Sequence, residues 1–178
     1  MNTAKWRLLN RWVDRRQYHR LQLLAKVPLF SGLSQRQLAK LLIKLFERNY
    51  QSGETIFAQG EAGKALFIVL SGKVSIFRDH NETEEQLATL MAGGYFGELA
   101  LIDDQPRFAG ARADEPTGLL VLYKSDFDDL TEGHKTIAIK VMNNLLHTLA
   151  GYIRKAQSHG NDRNPIITDV VSAKTKSA

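Results

Sequence analysis

The residues best suited to bind a ligand lie between Gly93 and Ala109. Glu98 and Arg107 are nine residues apart, and Pro106 directly precedes the arginine. The planar fork of a guanidinium matches the oxygens of a phosphate. A carboxylate would repel that phosphate, so Glu98 suits a different part of the same ligand, such as the hydroxyl donors of a sugar. These two side chains predict a sugar phosphate with a free hydroxyl and one negative charge.

The backbone between these side chains is predicted to contribute to the same site. Gly93, Gly94 and Gly97 permit tight turns and a close approach of the ligand to the main chain. Residues 98–102 can form one or two helical turns, whose first N–H groups lack internal partners and lie at the positive end of the dipole. Pro106 ends this helix. Such N–H groups suit an anion, as the arginine does.

The stretch from Phe96 to Ala109 resembles the phosphate-binding cassette of cyclic-nucleotide-binding domains. That family includes the regulatory subunits of cAMP-dependent protein kinase, cyclic-nucleotide-gated channels and the bacterial catabolite activator. Its pattern is roughly F-G-E-L-A-L, a short variable loop, and then P-R-x-A. The chain matches this pattern in order at Phe96, Gly97, Glu98, Leu99, Ala100, Leu101, Pro106, Arg107 and Ala109.

The resemblance implies a role for each position. In the family, the glutamate binds the ribose 2′-hydroxyl and the arginine binds the cyclic phosphate, and these roles fall here on Glu98 and Arg107. Backbone N–H groups near Ala100 and Ala109 complete the phosphate cradle. The residues themselves show no arranged catalytic group and no metal-ligand spacing, so we predict no catalytic residue and no metal site. The predicted ligand-binding residues are Gly97, Glu98, Leu99, Ala100, Arg107, Phe108 and Ala109.

Phe108 departs from the family pattern, which usually has Ala, Ser or Thr after the arginine. A small hydroxyl there often favours cGMP through its guanine, so we expect cAMP in preference to cGMP. The ring could stack on the purine, a contact of about 1–3 kcal/mol. It could equally point out of the barrel or partly block the site, and the sequence leaves these alternatives open.

Simpler interpretations exist for the two charged residues. Arg107 could pair with a surface carboxylate, and Glu98 could be an exposed acid at a helix N-terminus. The spacing of these residues and Pro106 favour ligand binding over both. The five histidines are scattered without metal-ligand spacing and cysteine is absent, so we expect neither a metalloenzyme nor a disulfide framework.

Composition and charge suggest one domain with appendages. The chain has 178 residues, of which 43% are hydrophobic. It contains no apolar run of membrane-spanning length and no signal-peptide pattern, so we expect a cytoplasmic protein. Residues 1–26 hold seven basic residues and one acidic residue, a charge of +6 against a total of +5. We therefore predict a basic helical arm at 1–26, the binding domain at 27–156 and a polar, disordered tail at 157–178.

Two helices are predicted before the first strand. Residues 4–25 carry an apolar face opposite arginines. Ser34 and Gln37 then predict a capping box, and Leu33 and Leu38 a hydrophobic staple, at the start of the second helix.

From Glu47 the spacing of the hydrophobic residues changes from helical to alternating, and glycines divide the chain into short segments. Ser71-Gly72-Lys73 predicts a hairpin turn and residues 79–84 a longer polar one. The pattern predicts a mainly β fold, a jelly-roll-like β-barrel with flanking helices. Ile68, Leu70 and Leu90 are candidates for its apolar wall near the ligand. The predicted strands are 47–51, 54–58, 65–71, 73–79, 85–91, 108–114 and 118–123.

Two helices are predicted after the last strand, a short one from Lys124 to Leu130 and a long one over 133–156. One apolar seam of the long helix is Ala138, Met142, Leu145, Leu149, Tyr152 and Ala156, and a second apolar line is Ile139, Leu146 and Ile153. In the family this helix closes over the bound nucleotide, and in the bacterial activators it also mediates dimerisation. A homodimer through 133–156 and a fully intramolecular role both remain open.

These features predict a stand-alone cyclic nucleotide sensor, not an enzyme, that needs no cofactor and binds cAMP. It would signal to a protein partner, or change its self-association, through its helices. The tail is too short and polar for a helix-turn-helix module, so no DNA-binding domain is expected. One alternative is a degenerate domain that binds no nucleotide, with Phe108 filling the pocket, and acts as a protein-interaction module. Another is a nucleic-acid or membrane-surface binder that acts through residues 1–26.

Overall fold

The computed structural model describes residues 15–80 and 83–158. The helices are α1 (Arg15–Lys26), α2 (Gln35–Leu42), α3 (Lys124–Gly133) and α4 (Lys135–Ser158), with 3₁₀ turns at Pro28–Phe30 and Glu98–Leu101. The strands are β1 (Phe46–Tyr50), β2 (Thr55–Phe57), β3 (Ala65–Ser71), β4 (Val74–His80), β5 (Thr83–Leu90), β6 (Tyr95–Phe96), β7 (Gly110–Ala113) and β8 (Thr117–Tyr123). The first fourteen residues of the predicted basic arm and the predicted tail from residue 159 lie outside the described residues.

The described strands form two four-stranded antiparallel sheets. The first sheet has the order β1-β8-β3-β6 and the second has the order β2-β7-β4-β5. The prediction of a mainly β fold with flanking helices is confirmed. The two sheets form a roll and are not closed into a continuous barrel. Each predicted strand overlaps an observed one, whereas the two-residue strand β6 was not predicted.

Strand β3 separates two hydrophobic cores because both of its faces are buried. Leu66 and Ile68 belong to a core shared with the four helices, whereas Phe67 and Val69 belong to a core between the sheets. Successive side chains of a strand point to opposite faces, which explains this division. Leu70 packs against the helix-side core as well. The prediction that Ile68 and Leu70 form the apolar wall near the ligand is therefore wrong, because both side chains face the helices.

The hairpin predicted at Ser71-Gly72-Lys73 is wrong. Gly72 does turn the chain, with a φ of +85°. However, β3 on one side pairs with β8 and β6, while β4 on the other side pairs with β5 and β7. The turn carries the chain from one sheet to the other, because β3 takes both of its partners, β6 and β8, from segments that lie well beyond β4 in the sequence.

The second predicted hairpin is present and tighter than expected. Strands β4 and β5 pair as far as His80 and Thr83, inside the predicted turn at 79–84. The prediction was too long because the polar residues at this end of the hairpin belong to the paired strands.

Helices α2 and α4 connect the N-terminal segment to the rest of the domain. The predicted capping box is present: Gln37 N–H donates to Ser34 Oγ at 3.3 Å, and Ser34 N–H donates to Gln37 Oε1 at 3.0 Å. Asn144 Nδ2 on α4 donates to the carbonyl oxygens of Leu29 at 3.0 Å and Ser31 at 2.9 Å. Helix α4 is thereby bonded to the turn that follows α1.

The two apolar lines of α4 have different surroundings. Ala138, Leu145 and Tyr152 of the seam are buried within the domain. The second line, Ile139, Leu146 and Ile153, is exposed. No helix in the described part of the chain is long and apolar enough to cross a membrane.

Candidate functional site

A cavity of about 380 Å³ lies against the segment 96–109 and reaches α4. This volume is within the range of small-molecule sites. The structure brings together at this cavity the seven residues of the predicted ligand-binding set: Gly97, Glu98, Leu99, Ala100, Arg107, Phe108 and Ala109.

Arg107 is only 9% exposed, and the backbone holds its guanidinium in place. Nη1 donates to the carbonyl oxygen of Gly97 at 3.2 Å, and Nη2 donates to that of Ala65 at 2.8 Å. The guanidinium carbon lies 4.2 Å from the ring centroid of Phe57, a cation–π contact. This environment differs from the surface ion pair that was the simpler interpretation of Arg107.

The Nε atom of Arg107 is buried and has no hydrogen-bond partner among the described residues. Burial lowers the pKa of Arg107, while the carboxylates of Glu98 and Glu61 act to raise it. An unsatisfied buried donor costs about 1–3 kcal/mol, and more on a charged group. The site therefore favours a ligand with an anionic acceptor.

Gly97 makes room for this arrangement. It has a φ of +73° at the start of the 3₁₀ turn, a left-handed conformation that glycine adopts readily. A Cβ atom at this position would lie 2.6 Å from Nη1 of Arg107 and 3.0 Å from the carbonyl oxygen of Ala65. The N–H of Ala100 donates to the Gly97 carbonyl at 3.3 Å, a long hydrogen bond within this turn.

Glu98 is buried, with 8% exposure, and is bonded to α4. Its Oε1 accepts a hydrogen bond of 2.9 Å from the hydroxyl of Tyr152. Burial raises the pKa of Tyr152, and the neighbouring Glu98 and Tyr95 raise it further. The phenol is therefore protonated at neutral pH and acts as the donor. Glu98 is not the exposed helix-terminal acid that was its simpler interpretation.

A second contact joins the same helix to β6. The hydroxyl of Tyr95 lies 3.3 Å from Oγ1 of Thr148, one turn before Tyr152 on α4. Burial raises the pKa of Tyr95, and the hydrogen bond to Thr148 opposes that shift. Helix α4 is therefore attached to this side of the cavity at two successive turns.

Phe108 lies at the edge of the cavity and does not fill it. The ring is 42% exposed and lines the cavity. The guanidinium carbon of Arg78 lies 3.8 Å from its centroid. The ring thus leaves the space beside Arg107 and Glu98 open.

The apolar wall was only partly predicted. Leu90 lines the cavity as expected, whereas Phe57, Ile76, Ala88 and Phe96 also line it and were not predicted. Tyr152 was assigned to the helix seam alone. The available signal was a tyrosine at a seam position, where an aliphatic residue would be enough for packing.

A family model and several known proteins match this chain. The family model described as Cyclic nucleotide-binding domain matches residues 47–134. The Cyclic AMP receptor protein of Thermus thermophilus is 40% identical over 130 residues, which are 72% of this chain and 58% of that protein. The cAMP-dependent protein kinase regulatory subunit of Mycosarcoma maydis is 32% identical over 145 residues, which are 80% of this chain and 26% of that protein.

A solved structure agrees with these matches. The crystal structure of the Thermus thermophilus Catabolite Activator Protein matches with a TM-score of 0.68 at 39% identity, covering 74% of this chain and 60% of that one. The chain therefore spans less than two thirds of the length of each of these relatives.

Proposed function

The chain belongs, through residues 47–134, to the cyclic nucleotide-binding domain family, and on that premise we propose that it is a cAMP sensor. The observation that carries the proposal is the buried Nε of Arg107, which has no partner among the described residues and lies beside the carboxylate of Glu98. A cyclic phosphate would satisfy the arginine, and a ribose 2′-hydroxyl would donate to the glutamate. The domain binds its ligand and does not transform it.

Backbone groups complete the proposed phosphate site. The N–H groups near Ala100 and Ala109 donate to the phosphate oxygens, as the long hydrogen bond of Ala100 allows. The absence of a hydroxyl on Phe108 supports cAMP over cGMP. The names of the two relatives, a cyclic AMP receptor and a cAMP-dependent regulatory subunit, support the same ligand.

The signal leaves the site through α4. A ribose that binds Glu98 acts on the carboxylate that Tyr152 already holds, and so shifts the position of the helix. Asn144 transmits this shift to the Pro28–Phe30 turn and thus to α1. The output is a protein partner, or a second copy of this chain, that contacts the exposed line Ile139, Leu146 and Ile153.

Isothermal titration of cAMP and cGMP into the wild-type chain and into Arg107→Ala tests this function. Micromolar binding of cAMP by the wild type, with a loss of about 2 kcal/mol or more in the variant, is the expected result. Failure of both nucleotides to bind the wild type at millimolar concentration would refute the sensor.

A further inference from the structure

The cavity has two parts of different chemistry. Arg107 and Glu98 supply a cation and a carboxylate, which between them match a phosphate and a sugar hydroxyl. A large apolar part of the wall comes from four strands: Phe57, Ile76, Ala88, Leu90 and Phe96. A ligand that fills the cavity therefore needs an apolar or aromatic group in addition to its sugar phosphate.

Phe108 adds an aromatic face to this apolar part. It directly follows Arg107 in the chain, so its backbone lies next to that of the arginine proposed to bind the phosphate. Although the ring is 42% exposed, it lines the cavity. Arg78 on β4 lies over the ring, with 3.8 Å between the guanidinium carbon and the centroid. This cation–π contact restrains a side chain that its exposure would otherwise leave free to rotate.

We propose that Phe108, restrained by Arg78, forms a shelf on which the base of the bound nucleotide stacks. The proposal rests on the proposed function and assigns a specificity-determining residue to the same cavity. Stacking on a phenylalanine ring tolerates any base, because every base has a π face. A purine covers more of the ring than a pyrimidine does. The shelf therefore selects purine over pyrimidine cyclic nucleotides, and it does not read the hydrogen-bonding edge of the base.

The experiment compares cAMP with its cytosine counterpart, cCMP, by isothermal titration. Phe108→Leu removes the aromatic face and keeps an apolar side chain. We expect it to weaken cAMP binding about tenfold, or about 1.4 kcal/mol, and to weaken cCMP binding distinctly less. Phe108→Tyr should bind cAMP as the wild type does. Phe46→Leu is the matched control, since Phe46 is 49% exposed and does not line the cavity, and it should leave both affinities unchanged.

A second variant tests the restraint itself. Arg78→Gln keeps the ring and removes the cation above it, so we expect a smaller loss of cAMP affinity in the same purine-selective direction. This variant also replaces Phe108→Leu as the test if a thermal melt of that protein without ligand shows that it has not folded.

The outcomes separate the shelf from the sensor. If Phe108→Leu binds cAMP as tightly as the wild type or more tightly, the ring contributes nothing to binding or hinders it, and the shelf is refuted. An equal loss for cAMP and cCMP also refutes it, because the ring would then act on the shared sugar phosphate. If the wild type binds neither nucleotide, the sensor itself fails together with the shelf.

Discussion

The hydroxyl of Tyr152 donates a 2.9 Å hydrogen bond to Oε1 of Glu98, across 54 positions of sequence. Both residues are buried, at 9% and 8% exposure, and this bond joins α4 to the segment that leads to Arg107. The proposed ribose-binding group is therefore also an attachment point of the helix. Coupling between two such events is typically about 1–3 kcal/mol, enough for a detectable change in the position of α4.

Glu98→Gln should weaken discrimination at the ribose 2′-hydroxyl. The wild type is expected to bind cAMP about 1.5–3 kcal/mol more tightly than 2′-deoxy-cAMP, because a hydroxyl that donates to a carboxylate forms a charge-assisted bond. In isothermal titration the variant should retain only about 0.5–1.5 kcal/mol of this difference, because its amide oxygen accepts a neutral hydrogen bond. Asp103→Asn is the control, since Asp103 also lines the cavity and should leave the discrimination unchanged. A Glu98→Gln protein that discriminates as the wild type does would remove Glu98 from the ribose site.

Gly97→Ala should reduce both stability and cAMP affinity. Gly97 and Gly93 have φ values of +73° and +87°, so alanine at either position should cost about 1–2 kcal/mol of stability. A Cβ at Gly97 would also lie 2.6 Å from Nη1 of Arg107, whereas one at Gly93 would meet nothing within 4 Å. Denaturant unfolding should therefore show a loss in both variants, and titration should show a loss of affinity in Gly97→Ala alone. Equal cAMP affinities of the two variants would contradict this account.

Tyr152→Phe should destabilise the ligand-free protein by about 1–3 kcal/mol at neutral pH, because it leaves a buried carboxylate with one donor fewer. Urea unfolding measures this change. Tyr18→Phe provides the control, since Tyr18 is an exposed tyrosine on α1 and its hydroxyl should contribute little. A Tyr152 variant as stable as the control would show that the bond to Glu98 adds nothing to the ligand-free fold.

The same tyrosine predicts a dependence on alkaline pH. The pKa of Tyr152 is raised in the folded chain above its ordinary value of 10.0, chiefly by burial. As the pH rises through 10, the unfolded chain loses this proton first, so the contribution of Tyr152 is complete below that pH and is lost above it. Urea unfolding repeated up to about pH 11 should show a steeper fall for the wild type than for Tyr152→Phe. Tyr95, whose pKa is also raised, should leave a residual slope in the variant, and identical slopes would exclude Tyr152 as the cause.

Asn144→Ala should destabilise the protein by removing the hydrogen bonds between α4 and the turn after α1. Its side chain donates to the carbonyl oxygens of Leu29 and Ser31, so the loss should be about 1–3 kcal/mol of unfolding free energy. The neighbouring Asn143 is exposed on the same helix, and Asn143→Ala should change stability by less than about 0.5 kcal/mol. Chemical denaturation of the two proteins provides the comparison. Similar losses of unfolding free energy in both variants would indicate an effect of helix propensity and not of the Asn144 hydrogen bonds.

Sequence alone was sufficient for features that depend on neighbouring residues. The capping box of Ser34 and Gln37 and the positions of most strands follow from short-range spacing and period. The segment 96–109 was identified for the same reason. Its glycine, its short helical turn and its arginine come within one continuous stretch, and the cavity is built around that stretch.

Tertiary structure decided which distant segments meet. The turn at Gly72 has the residues of a hairpin, yet the strands on its two sides join different sheets, since β3 pairs with the distant strands β6 and β8 and not with β4. The two-residue alternation of a strand predicted that successive side chains of β3 would point to opposite faces. It did not predict that Ile68 would face the helices and Phe67 the other sheet.

The bond from Tyr152 to Glu98 and the position of Arg78 over Phe108 belong to the same class. They depend on where a helix and a strand pack, and packing is set by the shape of the whole core, which no local pattern of residues contains.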